Sequence, residues 1–108
     1  MNRFKIISGR QHEDQIIREK HAGVSVYKED EGFYKLHLNI FPNITYFMRK
    51  NANNDAFTIF SKVFGKGKDV KLIRPVGQAR VLQNLKTHMM LYFEALDITL
   101  YMSLFPQD

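Results

Sequence analysis

Four histidines, His12, His21, His37 and His88, are the only imidazole ligands in the chain, and cysteine is absent. Without thiols, disulfide scaffolds, zinc ribbons and thiol catalysis are excluded. His12-Glu13 begins like the helix of a zinc protease, but that chemistry needs a second histidine four residues after the first, and the next one is His21. His37 and His88 could approach each other across strands, yet no third ligand is indicated. The histidines therefore read as surface or half-buried groups, and no metal or other cofactor is expected.

Gly65-Lys66-Gly67-Lys68 has the flavour of a phosphate loop. A true one needs a glycine four residues before Gly-Lys and a Ser or Thr after it, where Phe60, Ser61 and Asp69 stand instead. A cationic hairpin tip is the better reading. Ser8, Ser25, Ser61 and Ser103 sit in no nucleophile elbow. The acidic groups Glu13-Asp14 and Glu29-Asp30-Glu31 fall at an element start and in a turn, where carboxylates are solvated. No set of residues specifies a reaction, so an enzyme is not expected.

Basic residues interleaved with aromatics carry more information. The chain holds 16 Lys and Arg against 11 Asp and Glu, a net charge of +5 over 108 residues. That total hides an uneven distribution: residues 1–31 are neutral, residues 32–93 carry +8, and residues 94–108 carry −3. Within the basic stretch, Phe60, Lys62 and Phe64 alternate, Lys66 and Lys68 follow in the loop, and Lys71 and Arg74 come next. On the run 33–41, Phe33, Lys35, His37 and Phe41 share one face, and Arg49 extends the mixture. Single-strand binders stack bases on aromatic faces and track phosphates with cations. On this reading Phe33, Phe41, Phe60 and Phe64 stack, while Lys35, Arg49, Lys62, Lys66, Lys68, Lys71 and Arg74 hold phosphates. The competing view is that a barrel or sandwich buries aromatics on both faces and lysines guard exposed strand edges.

These residues need elements to hold them. Period-2 alternation predicts strands over Phe4 to Ile7, Val24 to Tyr27, Phe33 to Phe41, Ile44 to Arg49, Ala56 to Phe64, Val70 to Arg74, Met90 to Leu96 and Ile98 to Phe105. Turns are expected at Glu29-Asp30-Glu31-Gly32, at Asn51 to Asp55, at Pro75 and Gly77, and at Asp97. Gln11 to His21 reads as a helix, because acids open it and basic groups close it in line with the helix dipole. Leu82, Leu85 and Met89 have helical spacing, so residues 78–87 read as a short helix. No internal repeat, low-complexity tract or linker is visible. The amino terminus lacks the apolar run of about 7–15 residues of a secretory signal. No window approaches the ~18 apolar residues of a membrane span. A cytoplasmic protein is expected, and the Asn43-Ile44-Thr45 sequon goes unused.

Three stretches recur in order: Glu31-Gly32-Phe33-Tyr34-Lys35-Leu36-His37-Leu38-Asn39, then Asn53-Asn54-Asp55-Ala56-Phe57-Thr58-Ile59-Phe60, then Tyr92-Phe93-Glu94-Ala95-Leu96-Asp97 with Leu100-Tyr101-Met102-Ser103-Leu104-Phe105. This series resembles a small uncharacterised β-rich family carried by conjugative plasmids and integrative elements, in which a Tyr-Leu-Ser-Val-Lys-Leu-Asp strand precedes a Tyr-Ala-Ser-Leu-Phe ending. The chain departs from it in lacking tryptophan, in Arg74-Pro75-Val76-Gly77, and in its first thirty residues. The resemblance implies a mobile-element setting and brings no catalytic residues with it.

The fold expected is mainly β, with α+β as the variant. It is one domain over 1–108, a small antiparallel barrel (oligonucleotide-binding-like) or sandwich of six or seven strands with one or two short helices. Residues 1–22 would form an edge strand plus helix, and residues 23–105 the core. The function expected is a non-enzymatic nucleic-acid-binding module of a phage or other mobile element, preferring single strands. One alternative is a protein-interaction or inhibitor module meeting an acidic surface on a host protein complex. The other is a homo-oligomeric structural protein that pairs copies through strand 98–105.

Overall fold

The computed structural model describes residues 2–107, and the side chains of all of these except Lys68. Eight antiparallel strands follow one another around a closed barrel. They are β1 (Arg3–His12), β2 (Gln15–Lys28), β3 (Phe33–Leu38), β4 (Thr45–Lys50), β5 (Phe57–Phe64), β6 (Lys71–Val81), β7 (His88–Phe93) and β8 (Ile98–Ser103). β8 returns to β1 through the pairs Ile6–Met102 and Ile7–Tyr101. The small β-rich barrel expected from alternation is present, with eight strands rather than six or seven. Among the described residues the only helical pieces are 3-10 turns at Gly67–Asp69 and Glu94–Leu96. No helix is long and apolar enough to cross a membrane.

Alternation sends every second side chain inward. Leu36 and Leu38 of β3, Tyr46 and Met48 of β4, Ile59 of β5, Ala79 of β6, Met89, Leu91 and Phe93 of β7, and Leu100 and Met102 of β8 fill the barrel with Ile6. Each fully buried Ile, Leu or Met stabilises the fold by about 1.5–3 kcal/mol relative to exposure. Tyr46 and Phe93 meet edge to face at 5.2 Å across the interior.

Both expected helices are replaced. Gln11 to His21 forms the tip of the β1–β2 hairpin, turning at Glu13, whose φ is 57°. Its charge order imitates a helix, but Ile16 and Ile17 make too narrow a stripe to bury one. Residues 78–81 complete β6, and residues 82–87 form a loop. The helical spacing there is accidental, because Leu82 and Leu85 cover the outside of the barrel while Met89 points in. Pro75 and Gly77 do not end the strand either. Pro75 sits beside a register shift, where its missing N–H does no harm. β1 is paired on both sides and is not an edge. β8 is paired along its length with β7 and, at Tyr101 and Met102, with β1, so it is not a free edge strand either.

The register exposes a repeat that the sequence hides. β1–β4 and β5–β8 are two copies of one four-strand unit, related by a half-turn about the barrel axis. Ile6 pairs with Gly23 and Met102 in the first copy, and Ile59 pairs with Gly77 and Met48 in the second. Both copies shift register at the next residue, leaving Ala22 and Val76 unpaired in those ladders. Ile7 then faces Tyr101 as Phe60 faces Phe47. Phe4 corresponds to Phe57, Ser25 to Ala79, and Tyr34 to Met89. The copies share the pattern Ile-Thr-x-x-Met, at Ile44 to Met48 and Ile98 to Met102.

In each copy the long hairpin outruns the barrel and folds back over its outer surface as an arm. The β5–β6 arm lays Val63, Val70 and Leu72 on the outward-facing Phe33, Phe47 and Phe60. The β1–β2 arm lays Ile16 on Ile7, Met90 and Tyr101, where Leu82 and Leu85 complete the cover. Each arm holds a non-glycine residue in the left-handed region, Arg18 at φ 56° and Arg74 at φ 60°, where the ribbon bends.

One buried position differs in kind between the two copies. Ser25 is fully buried and its Oγ has no hydrogen-bond partner, whereas the matching position in the second copy is Ala79. A buried unsatisfied hydroxyl costs about 1–3 kcal/mol. Ser25→Ala is expected to stabilise the protein by about 1 kcal/mol and to raise its melting temperature by about 4–8 °C. A thermal melt no higher than that of the parent chain would contradict this.

Candidate nucleic-acid interface

The β5–β6 arm is the most cationic element. Lys62, Lys66, Lys68, Lys71 and Arg74 lie on residues 61–74 with Asp69 as the only acid, while the matching β1–β2 arm offsets Arg10, Arg18 and Lys20 with Glu13, Asp14 and Glu19. Its tip is a tight turn in which Gly65 and Gly67 adopt φ of 85° and 59°. The Val70 N–H donates to the Gly67 carbonyl. This is the cationic hairpin tip expected from Gly65 to Lys68, and it is not a phosphate loop.

Lys62, Lys66, Lys71 and Arg74 are exposed. Lys68 belongs to the same tip, but its side chain lies outside the described residues. Phe64 is 53% exposed, and the Lys62 ammonium stands 5.0 Å from its ring centre. Aromatic face and cation are thus presented together to solvent.

The other aromatic platforms are not available. Phe33 is only 1% exposed, held edge to face against Phe47 at 5.7 Å under the arm. Phe60 is half-buried in the same cluster, so it does not share an open face with Lys62 and Phe64. Phe41 lies beyond the end of β3 and packs on the interior residues at the barrel mouth. Burial on both sides of the strands, the competing reading of these aromatics, is what the fold adopts for Phe33 and, in part, for Phe60.

Lys35 and Arg49 remain beside the arm. Lys35 is half-buried and pairs across the ladder with Phe47. Arg49 holds its guanidinium 5.8 Å from the Phe33 ring centre and donates from Nη2 to the Glu31 carbonyl at 3.1 Å. Lys28, opposite Phe33, joins this border. Sequence reading misses Lys28 because only the hairpin register places it next to the arm's bed.

The remaining chemistry-bearing groups are scattered. His37 and His88 lie on strands separated by half the barrel, so they cannot approach each other. His88 bonds to Thr87 Oγ1 at 2.9 Å. Burial pulls its imidazole below its usual range, and Glu19 on the first arm partly opposes this. Burial, reinforced by neighbouring Tyr27, pushes the Tyr34 phenol up. The Tyr92 hydroxyl donates to Asp97 at 2.9 Å, which pins the left-handed Asp97 turn and raises the phenol. No cluster of three metal-binding side chains occurs among the described residues. No known protein family, curated protein or solved structure matches the chain.

Proposed function

We propose that the chain is a non-enzymatic nucleic-acid-binding module of a phage or other mobile element, acting on single strands in the cytoplasm. The observation that supports it best is the β5–β6 arm. Four described cations and a half-exposed phenylalanine project from it with one acid among them, while the matching arm of the other copy is charge-balanced. A barrel of this kind does not require that asymmetry, so it points to an anionic partner. In this mode Lys62, Lys66, Lys71 and Arg74 track phosphates and Phe64 stacks a base, with Lys35 and Arg49 at the border.

The test is a labelled single-stranded oligonucleotide titrated at several salt concentrations. Each phosphate held on a single strand contributes about −0.7 to the slope of log K against log salt. Lys62, Lys66 and Lys71 are replaced by alanine, and Arg74 by asparagine to respect its left-handed backbone. This variant is expected to flatten the slope by about 0.7 for every phosphate it no longer neutralises. Phe64→Ala is expected to cost about 1–3 kcal/mol of binding. Absence of binding at low salt, or a slope unchanged in the variant, overturns the proposal. A stoichiometric protein partner that survives nuclease treatment would favour the interaction-module alternative.

A further inference from the structure

At the end of the barrel opposite the bases of the arms, Tyr27, Gly32, Tyr34, Arg49, Lys50 and Phe57 line a cleft of about 230 Å³. Tyr27, Tyr34 and Phe57 come from inward-facing positions of β2, β3 and β5, and the rings nest against one another. Centroids of Tyr27 and Tyr34 lie 4.7 Å apart, and those of Tyr34 and Phe57 lie 6.3 Å apart. On the rim Arg49 is steadied by its bond to the Glu31 carbonyl. Among the described residues Lys50 pairs with the fully exposed Asp55, at 3.8 Å, a solvated pair that is readily exchanged for another anion.

The second copy of the four-strand unit is an internal control for what the barrel end requires. There Val81 stands for Tyr27, Met89 for Tyr34, Ser103 for Arg49, Leu104 for Lys50 and Phe4 for Phe57. Only the phenylalanine is kept. The barrel therefore closes with apolar and neutral groups at this place, and two phenols and two cations are a feature of one copy alone. Aromatic walls set at steep angles to one another, 54° and 71° between neighbouring rings, offer both ring faces and edges, and with a cationic rim they suit a planar ring that carries a negative charge close by.

We propose that this cleft binds one nucleoside monophosphate unit, with the base against Tyr27, Tyr34 and Phe57 and the phosphate on Arg49 and Lys50. Its volume is below the ~300–1,000 Å³ of typical small-ligand sites, so it admits a single unit and not a run of bases. The choice of a nucleotide among aromatic anions rests on the nucleic-acid reading above, but apart from Arg49, which borders both, the residues are different ones, so the two can fail separately.

The experiment is calorimetric titration of the full chain at low salt with CMP, cytidine and inorganic phosphate. CMP is expected to bind at least tenfold more tightly than either fragment. Substitutions borrowed from the other copy, Tyr34→Met, Arg49→Ser and Lys50→Leu, are each expected to weaken CMP at least tenfold, and Lys50→Leu, at an exposed position, is expected to melt near the parent chain. The variant lacking Lys62, Lys66, Lys71 and Arg74 is expected to keep CMP affinity while losing oligonucleotide affinity. CMP binding no tighter than inorganic phosphate overturns the proposal. So does CMP affinity unchanged in Lys50→Leu, a change at an exposed position that leaves the interior untouched. Oligonucleotide affinity unchanged in the four-cation variant, with CMP binding kept, would sink the arm's role and leave the cleft standing.

Discussion

Gly77→Ala is expected to unfold the barrel or nearly so. A Cβ at this position would fall far inside contact distance of the Tyr92 carbonyl oxygen and 3.1 Å from Phe93 Cα. Both obstacles are backbone atoms of β7, so no rotamer change relieves the clash. Moving them breaks the β6–β7 ladder at the place where Gly77 pairs with Phe93. Gly23 stands in the same relation to the His37 carbonyl and Leu38 Cα, so Gly23→Ala is expected to behave alike. Losses above about 4 kcal/mol are exceptional for point changes. They would consume a large share of the ~5–15 kcal/mol that holds a typical domain together. Gly32→Ala is the contrast: its φ is 75° with open space around the missing Cβ, and the left-handed penalty alone is about 1–2 kcal/mol. Circular dichroism melts of the three variants check this, and a Gly77→Ala melt no lower than that of Gly32→Ala would refute the steric account.

Phe47→Ala should cost about 3–5 kcal/mol, the range for removing a buried aromatic ring. Phe47 is 8% exposed although it faces away from the barrel interior, because the β5–β6 arm lies across it. Its loss removes the ring on which Phe33, Val63, Val70 and Leu72 converge. The damage is expected to be local as well as global. Amide hydrogen exchange of residues 61–74 should accelerate far more than that of β7 and β8, where protection comes from the interior. Phe64→Ala, at a 53% exposed site, should stay within about 0.5 kcal/mol of the parent chain. Equal protection of the arm in Phe47→Ala and in the parent would show that the outer cluster does not hold the arm down.

The barrel walls were legible because their residues obey a single rule. Leu36 and Leu38, Ile59, Leu91 and Phe93, and Leu100 and Met102 each alternate with outward positions, and period-2 patterning finds them without knowledge of their partners. The arms break that rule. Once the ribbon leaves the barrel, its buried side is decided by the outer wall it folds onto, so Val63 alternates in step with Phe57 and Ile59 yet packs outside the barrel, while Ile59 packs inside it. Phe33 shows the same limit from the other direction. Its place on the outer face was readable, but its cover comes from Val70, 37 positions further along the chain. The repeat is invisible in the sequence because the offset between matching residues drifts: 53 for Ile6 and Ile59, 54 for Gly23 and Gly77, 55 for Tyr34 and Met89. The barrel needs the bulge, the glycine and the inward volumes, and it leaves most identities free. The cationic character of the β5–β6 arm was plain from segmental charge, whereas the Tyr27, Tyr34 and Phe57 cleft needed the closed ring to bring β2, β3 and β5 together.

The ordering of strands also sets how the chain can assemble itself. Seven of the eight seams join strands that are neighbours in sequence, so each can zip from its own turn at a small entropic cost. The last one, Ile6 and Ile7 against Met102 and Tyr101, must gather nearly the whole chain into a loop before it gains anything. Its counterpart between β4 and β5 runs to four paired positions and is bridged by the short turn at residues 51–56. Two seams that occupy matching places in the ring thus differ in cost: one closes as a hairpin, and the other must close a loop of nearly the whole chain.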